Sequence, residues 1–333
     1  RVDGWLIPAE EAIALTERVM QAVNALPADG SLGNVHYAEA WLALVLSHFT
    51  DRACQTGVIE VGMGGRFDAT NIVTPRVSVI TTVHYDHTRV LGETLGEIAY
   101  HKAGIIKAGV PAVVGEVPEV AWRVIEAEAR QRGARLVRLG RDLRYEPIEA
   151  SQSGGRFRYE GLRLRLDDVR VGLLGAHQFA NASAALAALE VYATSQGLAL
   201  DEGAIREGLA TARFAGRLEI MQHRPTVVLD GAHNEEKTSA LITALRQMFG
   251  QRRLILVLGM LEAKAVEPIV EKLAAIADTV IATYPRVKGK PALPAGELVA
   301  LAKKAGVRQA LAEEMPLDAL ERALEIAGPD DLV

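Results

Sequence analysis

Short continuous apolar runs alternate with segments of helical spacing along this chain, the pattern of βα units that build a mostly parallel sheet. Residues 58–61 read as a buried strand closed by Gly62, Gly64 and Gly65. Residues 77–83 read as a second strand that ends on His84-Tyr85-Asp86-His87. A helix over 93–107, a strand over 111–114, a helix over 118–132 and a strand over 135–139 follow. From 141 to 171 the pattern becomes short alternating runs with turn glycines at Gly154, Gly155 and Gly161, which predicts an antiparallel excursion. A long Ala-rich helix is expected over 177–195 and a shorter one over 201–212. A second rhythm starts near Arg217. It has strands over 226–229, 253–258 and 279–282, and helices over 236–249, 263–277 and after Pro294 and Pro316. The change of rhythm predicts two domains, 1–215 and 216–333, with no repeat or low-complexity tract.

Composition sharpens this picture. The 333 residues include 37 Lys plus Arg and 42 Asp plus Glu, a net charge of −5, so the basic field that sequence-independent nucleic-acid binding needs is missing. Apolar residues make 49% and charged residues 24%, which excludes a disordered or fibrous chain. A single cysteine, Cys54, leaves no internal disulfide or thiolate cage, and a reducing cytoplasm is the expected location. No apolar run approaches the roughly 18 residues of a membrane span, so no membrane partner is expected, and a monomer is. The first residue is Arg1, and the tail Asp330-Asp331-Leu332-Val333 reads as the opening of a strand, so both ends look cut.

In open α/β sheets ligands bind outside the carboxyl ends of the strands, which directs attention to the polar residues there. Glu60, inside an apolar run, is either a structural ion-pair partner or a cation ligand. With His87 at the next strand end it makes a hard-oxygen and imidazole pair that suits Mg²⁺ better than zinc; His84 and Asp86 are the rival zinc donors. Lys102, by spacing alone, is a helical lysine on a solvated face. Gly62-Met63-Gly64-Gly65-Arg66-Phe67 puts Phe67 where a dinucleotide fingerprint needs its third glycine, which weakens a dehydrogenase reading. No Gly-x-x-x-x-Gly-Lys-Ser/Thr phosphate loop occurs in the chain. Asp230-Gly231-Ala232-His233-Asn234 falls between a strand and a helix, where free backbone N–H groups suit an anion and Asn234 suits a helix cap.

Taken together, these segments resemble one family. Residues 58–71, VIEVGMGGRFDATN, are similar to the Glu-Val-Gly-x-Gly-Gly-Arg-x-Asp-Ala-Thr-Asn signature of folylpolyglutamate and dihydrofolate synthases in the Mur ligase superfamily. Asp86-His87-Thr88 with Leu91-Gly92, Lys102-Ala103-Gly104-Ile105-Ile106-Lys107, His177-Gln178-x-x-Asn181-Ala182, Gly216-Arg217-Leu218-Glu219 and Asp230-Gly231-Ala232-His233-Asn234 continue it in order.

The resemblance implies an α/β, Mur-ligase-like fold: an incomplete, mostly parallel central sheet domain and a smaller Rossmann-like C-terminal domain. It implies ATP-dependent addition of L-glutamate to folate or dihydropteroate through an acyl phosphate. Glu60 and His87 match the family's magnesium ligands, and Lys102 a lysine that is carbamylated there. Asn181, Arg217 and Asp230 match ATP-binding positions, Asn181 at the base and Asp230 at the ribose. His233 matches a histidine near the transfer site. His36-Tyr37-Ala38-Glu39 and Phe67-Asp68-Ala69 fall where the family holds the pterin; Ala38 stands where an aromatic is usual. The family's Gly-Thr-x-Gly-Lys-Gly-Ser loop would lie upstream of Arg1, so the chain is expected to be a fragment that is inactive alone. A Mur-type ligase with another acceptor and a non-catalytic nucleotide-binding module are the alternatives.

Overall fold

The computed structural model describes residues 1–27, 33–262 and 266–333. Three short strands, β1 (Ser78–Ile80), β2 (Ala112–Val114) and β3 (Leu136–Arg138), form one sheet in that order. By contact density the chain divides into two compact units: Arg1–Ala112 with Val117–Leu136, and Val113–Glu116 with Val137–Val333.

The first unit opens with two helices that the strand-and-helix rhythm did not single out, α1 (Ala9–Asn24) and α2 (Tyr37–Asp51). Leu15, Val19 and Val23 recur at helical spacing on α1 and pack against Leu44 and Ala40 of α2. The short helix α3 (Thr88–Leu91) leads to α4 (Leu95–Ala103). A reciprocal cap starts α4: Glu97 N–H donates to Thr94 Oγ1 at 3.2 Å, and Thr94 N–H donates to Glu97 Oε2 at 2.9 Å. Helix α5 (Glu119–Gln131) lies against α4, with Ile98, Ala99, Trp122 and Ile125 buried.

The apolar run 58–61 departs from expectation. It forms no strand, Val58 is 92% exposed, and Glu60 lies at the surface rather than in a core. An apolar run becomes a buried strand only when neighbours take up its backbone hydrogen bonds, and no described strand runs beside this one. The second expected strand shrinks to β1 for the same reason, although Val83 beyond its end is fully buried.

In the second unit the antiparallel excursion is present as β4 (Arg144–Ser151), β5 (Gly154–Glu160) and β6 (Arg165–Val171). Helix α6 (His177–Gln196) covers it, with Phe157 and Phe179 stacked at 5.4 Å. Deep in this contact Glu190 is 1% exposed. Its carboxylate accepts the Tyr159 hydroxyl at 2.8 Å and the N–H groups of Leu162, Arg163 and Leu164 at 3.2, 2.6 and 2.7 Å. Burial, then the charge and hydrogen bond of Glu190, push the Tyr159 pKa up, so its hydroxyl stays protonated. Helix α7 (Glu202–Thr211) begins on an Asp201 cap whose Oδ1 accepts from Gly203 and Ala204 N–H.

The hairpin β7 (Glu219–His223) and β8 (Thr226–Leu229) precedes α8 (Glu235–Phe249). Strands β9 (Ile255–Leu258), β10 (Thr279–Ala282) and β11 (Gln309–Ala312) form a parallel sheet in the order β11-β10-β9. All four residues of β10 are buried, as a strand covered on both faces requires. Helices α9 (Val266–Ala274), α10 (Ala295–Lys304) and α11 (Pro316–Ile326) pack with the sheet; residues 263–265 of the expected helix 263–277 lie outside the described residues. The last residues take up a strand position: Leu332 bridges in parallel to Thr226 on one side and Leu254 on the other.

Candidate functional site

The glycine segment of the first unit is moulded onto the end of α4. Gly65 is buried at φ +146°, and a Cβ there would stand 2.7 Å from Ile105 Cγ2 and 3.1 Å from the His101 carbonyl. Arg66 N–H donates to that carbonyl at 2.8 Å, and the Arg66 guanidinium lies 3.9 Å over the Tyr100 ring and bonds Glu128 at 2.5 Å. Gly104 answers from the other side, where a Cβ would be 2.5 Å from Arg66 Cα. Asp68 closes the loop: its carboxylate accepts from Met63 N–H at 3.0 Å, and from Thr70 N–H and Oγ1–H at 2.9 and 2.5 Å. Burial acts against the ionised form, but these bonds, with one from Gly62, outweigh it and hold the Asp68 pKa below its ordinary value. Asn71 Nδ2 then ties the Arg66 and Gly104 carbonyls together at 2.9 and 3.2 Å.

The other residues expected in this unit surround that loop in sequence. Phe67 is 78% exposed and meets His101 edge-on at 5.6 Å. His87 is exposed in the left-handed region at φ 50°, with its N–H donating to Asp86 Oδ1 at 2.9 Å. Lys102 is half-buried in the last turn of α4. Among the described residues no group of three or more His, Cys, Asp and Glu is gathered to hold a metal ion. Glu60 and His87, an exposed carboxylate and an exposed imidazole, are donors of the kind a hard cation such as Mg²⁺ accepts. At the start of α2, His36 N–H donates to Glu39 Oε2 at 2.7 Å, so Glu39 serves as a helix cap. Ala38 is exposed, and Tyr37 stacks at 6.1 Å on Trp41, an aromatic the sequence reading passed over. Ala69 begins a 3₁₀ turn behind Asp68.

In the second unit, the segments around Arg217 and Asp230 interlock. Asp230 Oδ2 accepts from Leu218 N–H at 2.9 Å and Oδ1 from Ala232 N–H at 2.8 Å. Leu218, buried at 2% exposure, has the unusual φ of 46° that this bond secures. Gly231 N–H donates to the Gly216 carbonyl at 3.0 Å, and a Cβ on Gly231 would meet Arg217 Nη1 at 2.9 Å. Arg217 itself is exposed. His233 Nδ1 lies 2.9 Å from the Gly231 carbonyl and Nε2 lies 3.2 Å from Lys237 Nζ. A carbonyl only accepts, so Nδ1 carries a proton. Asn234 caps α8, its Oδ1 accepting from Lys237 N–H at 2.9 Å.

The first turn of α6 joins this group electrostatically. Asn181 is exposed and donates through Nδ2 to Gln178 Oε1 at 3.0 Å; Gln178 Nε2 lies 3.0 Å from His177 Nε2. Desolvation lowers the His177 pKa, Asp230 raises it and Arg217 lowers it, leaving it below the ordinary histidine value. Asn181, Arg217 and Asp230, expected together, are thus connected through His177. Gln178, Leu218 and Lys237 were not given roles from sequence. Of these, only Gln178 carried a signal, as a polar residue inside an Ala-rich apolar helix.

Family models match both parts of the chain: "Mur ligase middle domain" over residues 30–189 and "Mur ligase, glutamate ligase domain" over 216–333. The chain is 37% identical over 279 residues to folylpolyglutamate synthase of Lacticaseibacillus casei, an alignment covering 84% of this chain and 65% of that protein. It is 34% identical over 280 residues to dihydrofolate synthase/folylpolyglutamate synthase of Bacillus subtilis (strain 168), again covering 84% and 65%. The structure of Mycobacterium tuberculosis folylpolyglutamate synthase complexed with ADP superposes with a TM-score of 0.88 at 31% identity, covering 95% of this chain and 71% of that one. The chain therefore spans 65% of the length of each of these two curated relatives.

Proposed function

The chain belongs to the Mur ligase family, in the branch of the folylpolyglutamate and dihydrofolate synthases, and on that premise we propose that it serves ATP-dependent addition of L-glutamate to folate or dihydropteroate, with domains 1–215 and 216–333. The observation that carries the reading is the interlocked group of Asp230, Arg217 and the His177-Gln178-Asn181 turn. It offers a carboxylate for ribose hydroxyls, a guanidinium for phosphate and a carboxamide for the base. Each Asp230 oxygen accepts one backbone N–H and keeps a further lone pair, so the ring hydroxyls of ATP find a pre-aligned acceptor.

In this reaction the γ-phosphoryl of ATP passes to the substrate carboxylate, giving ADP and an acyl phosphate. The glutamate amine then attacks the acyl carbon, the C–O bond to phosphate breaks, and an amide forms. Glu60 and His87 would hold Mg²⁺, with Lys102 contributing a third oxygen ligand as a carbamate; the ion supplies charge neutralisation on the phosphates. His233 holds its proton on Nδ1 against the Gly231 carbonyl while Nε2 accepts from Lys237 Nζ at 3.2 Å, and release of that bond would free Nε2 to take a proton from the amine. Phe67, Asp68, Ala69 and the turn from His36 to Glu39 supply the pterin side, where the exposed Phe67 ring offers a stacking face.

Binding of ADP to the purified chain, followed by calorimetry, tests the reading. Asn181→Ala and Asp230→Ala should each weaken binding about tenfold, the loss of one or two good hydrogen bonds. Absence of ADP binding by a chain whose circular dichroism shows it folded would remove the proposal.

A further inference from the structure

The side chains of His177, Gln178 and Asn181 form a row whose middle member is 7% exposed, so both ends of the Gln178 amide are committed to its neighbours. An amide nitrogen only donates. The His177 Nε2 it meets therefore holds the lone pair, and the ring proton sits on Nδ1. Asn181 spends one N–H on Gln178 and turns its carbonyl oxygen and its second N–H outward, an acceptor beside a donor. Protonation of His177 at Nε2 reverses every bond in the row. The imidazolium then donates to Gln178 Oε1, Gln178 Nε2 donates to Asn181 Oδ1, and Asn181 faces outward with two N–H donors.

These two edges read different purines. An acceptor–donor carboxamide pairs with the N6 amino group and N7 of adenine, whereas a donor pair suits O6 and N7 of guanine. Resting on the proposed placement of Asn181 at the base, we propose that His177 and Gln178 are specificity-determining positioning residues: the neutral imidazole, acting through the buried Gln178 amide, holds Asn181 in the adenine-reading orientation. The charged groups that face the ring are Asp230 and Arg217. Asp230 is already occupied by two backbone N–H groups, and desolvation with Arg217 outweighs it, so the fold favours the neutral form.

Two substitutions separate this device from simple packing. Gln178→Glu provides two acceptor oxygens, so Asn181 goes on donating Nδ2 whichever form His177 takes. His177→Lys provides donors only and imposes the reversed row at every pH. The measurement is calorimetric binding of ADP and GDP at pH 8 and at a lower pH, read as the ratio of the two affinities so that titration of the diphosphates cancels. The wild-type chain should prefer ADP roughly tenfold or more at pH 8 and lose most of that preference at whatever lower pH nuclear magnetic resonance shows the His177 ring to be protonated. Gln178→Glu should keep it at both pH values, and His177→Lys should lack it at pH 8. A wild-type ratio that does not change while His177 becomes protonated, or a Gln178→Glu ratio that falls as the wild type does, overturns the proposal and leaves the nucleotide site standing. If neither nucleotide binds, the proposed function fails instead, and the ligand-free chain still decides the device by nuclear magnetic resonance. The side-chain amide signals of Gln178 and Asn181 must then move with the same midpoint as the His177 ring. A ring that titrates while those signals stay fixed refutes the coupling.

Discussion

Replacing Glu190 isolates the contact that fixes α6 on its sheet. Its Oε1 accepts from Arg163 and Leu164 N–H, and its Oε2 from Leu162 N–H and the Tyr159 hydroxyl. In Glu190→Gln the remaining oxygen keeps the Arg163 and Leu164 bonds, and the tyrosine hydroxyl turns to accept from the new amide. The Leu162 N–H then faces another donor. One stranded buried N–H costs about 1–3 kcal/mol, so a loss of about 2 kcal/mol is expected. Glu190→Ala removes the acceptor of three part-buried N–H groups and a buried hydroxyl, and about 4 kcal/mol is expected. Tyr159→Phe removes a single bond to a charged acceptor while the three N–H bonds remain, about 1.5 kcal/mol. Urea unfolding monitored by far-ultraviolet circular dichroism gives the three values, and amide exchange at residues 162–164 locates the damage. A Glu190→Gln protein within about 0.5 kcal/mol of the wild type would refute the reasoning, because it would mean the Leu162 N–H had found water.

Further tests address the glycine loop. Arg66→Ala removes the mostly buried pair with Glu128 and the stacking on Tyr100, while Arg132 remains beside Glu128 at 3.0 Å. A loss of about 2 kcal/mol in urea unfolding is expected, with Arg66→Lys recovering less than half because an ammonium neither stacks nor bonds in a fork. Asp68 gives a pH signature. Its folded pKa is lowered from 3.8, so its contribution is fully present above that value and disappears as pH falls through the folded value. The wild-type melting temperature should therefore drop more steeply below pH 4 than that of Asp68→Asn, which starts lower and lacks this component; parallel curves would show that the carboxylate does not hold the loop.

How far the sequence could be read depended on whether the deciding partner lay nearby in the chain. The cap at Asn234, the strand before Asp230 and the antiparallel excursion each follow from local spacing, and all are present. The run at 58–61 shows the limit. Apolar alternation describes what a segment offers to a sheet, and whether it is taken up depends on strands elsewhere, which no local pattern encodes. Glu190 shows the opposite failure. A glutamate inside a helix reads as solvated, and only the turn at residues 162–164, folded back over it, turns that position into a buried acceptor. Asn181 and Asp230 were legible through motif resemblance; the link between them through His177 and Gln178 required the turn of α6 to be seen.

Leu332 and Val333 sit between β8 and β9, with N–H and carbonyl groups exchanged on both sides. A ribosome delivers β8 and β9 long before the residues that join them. Until then both strands keep a bare edge, open to pairing with any other extended chain. Closing that gap also demands a long loop, which slows the step in which the sheet becomes continuous. The interval between making β9 and making Leu332 thus leaves two strand edges open to pairing with other chains, and chaperone capture during synthesis would cover them.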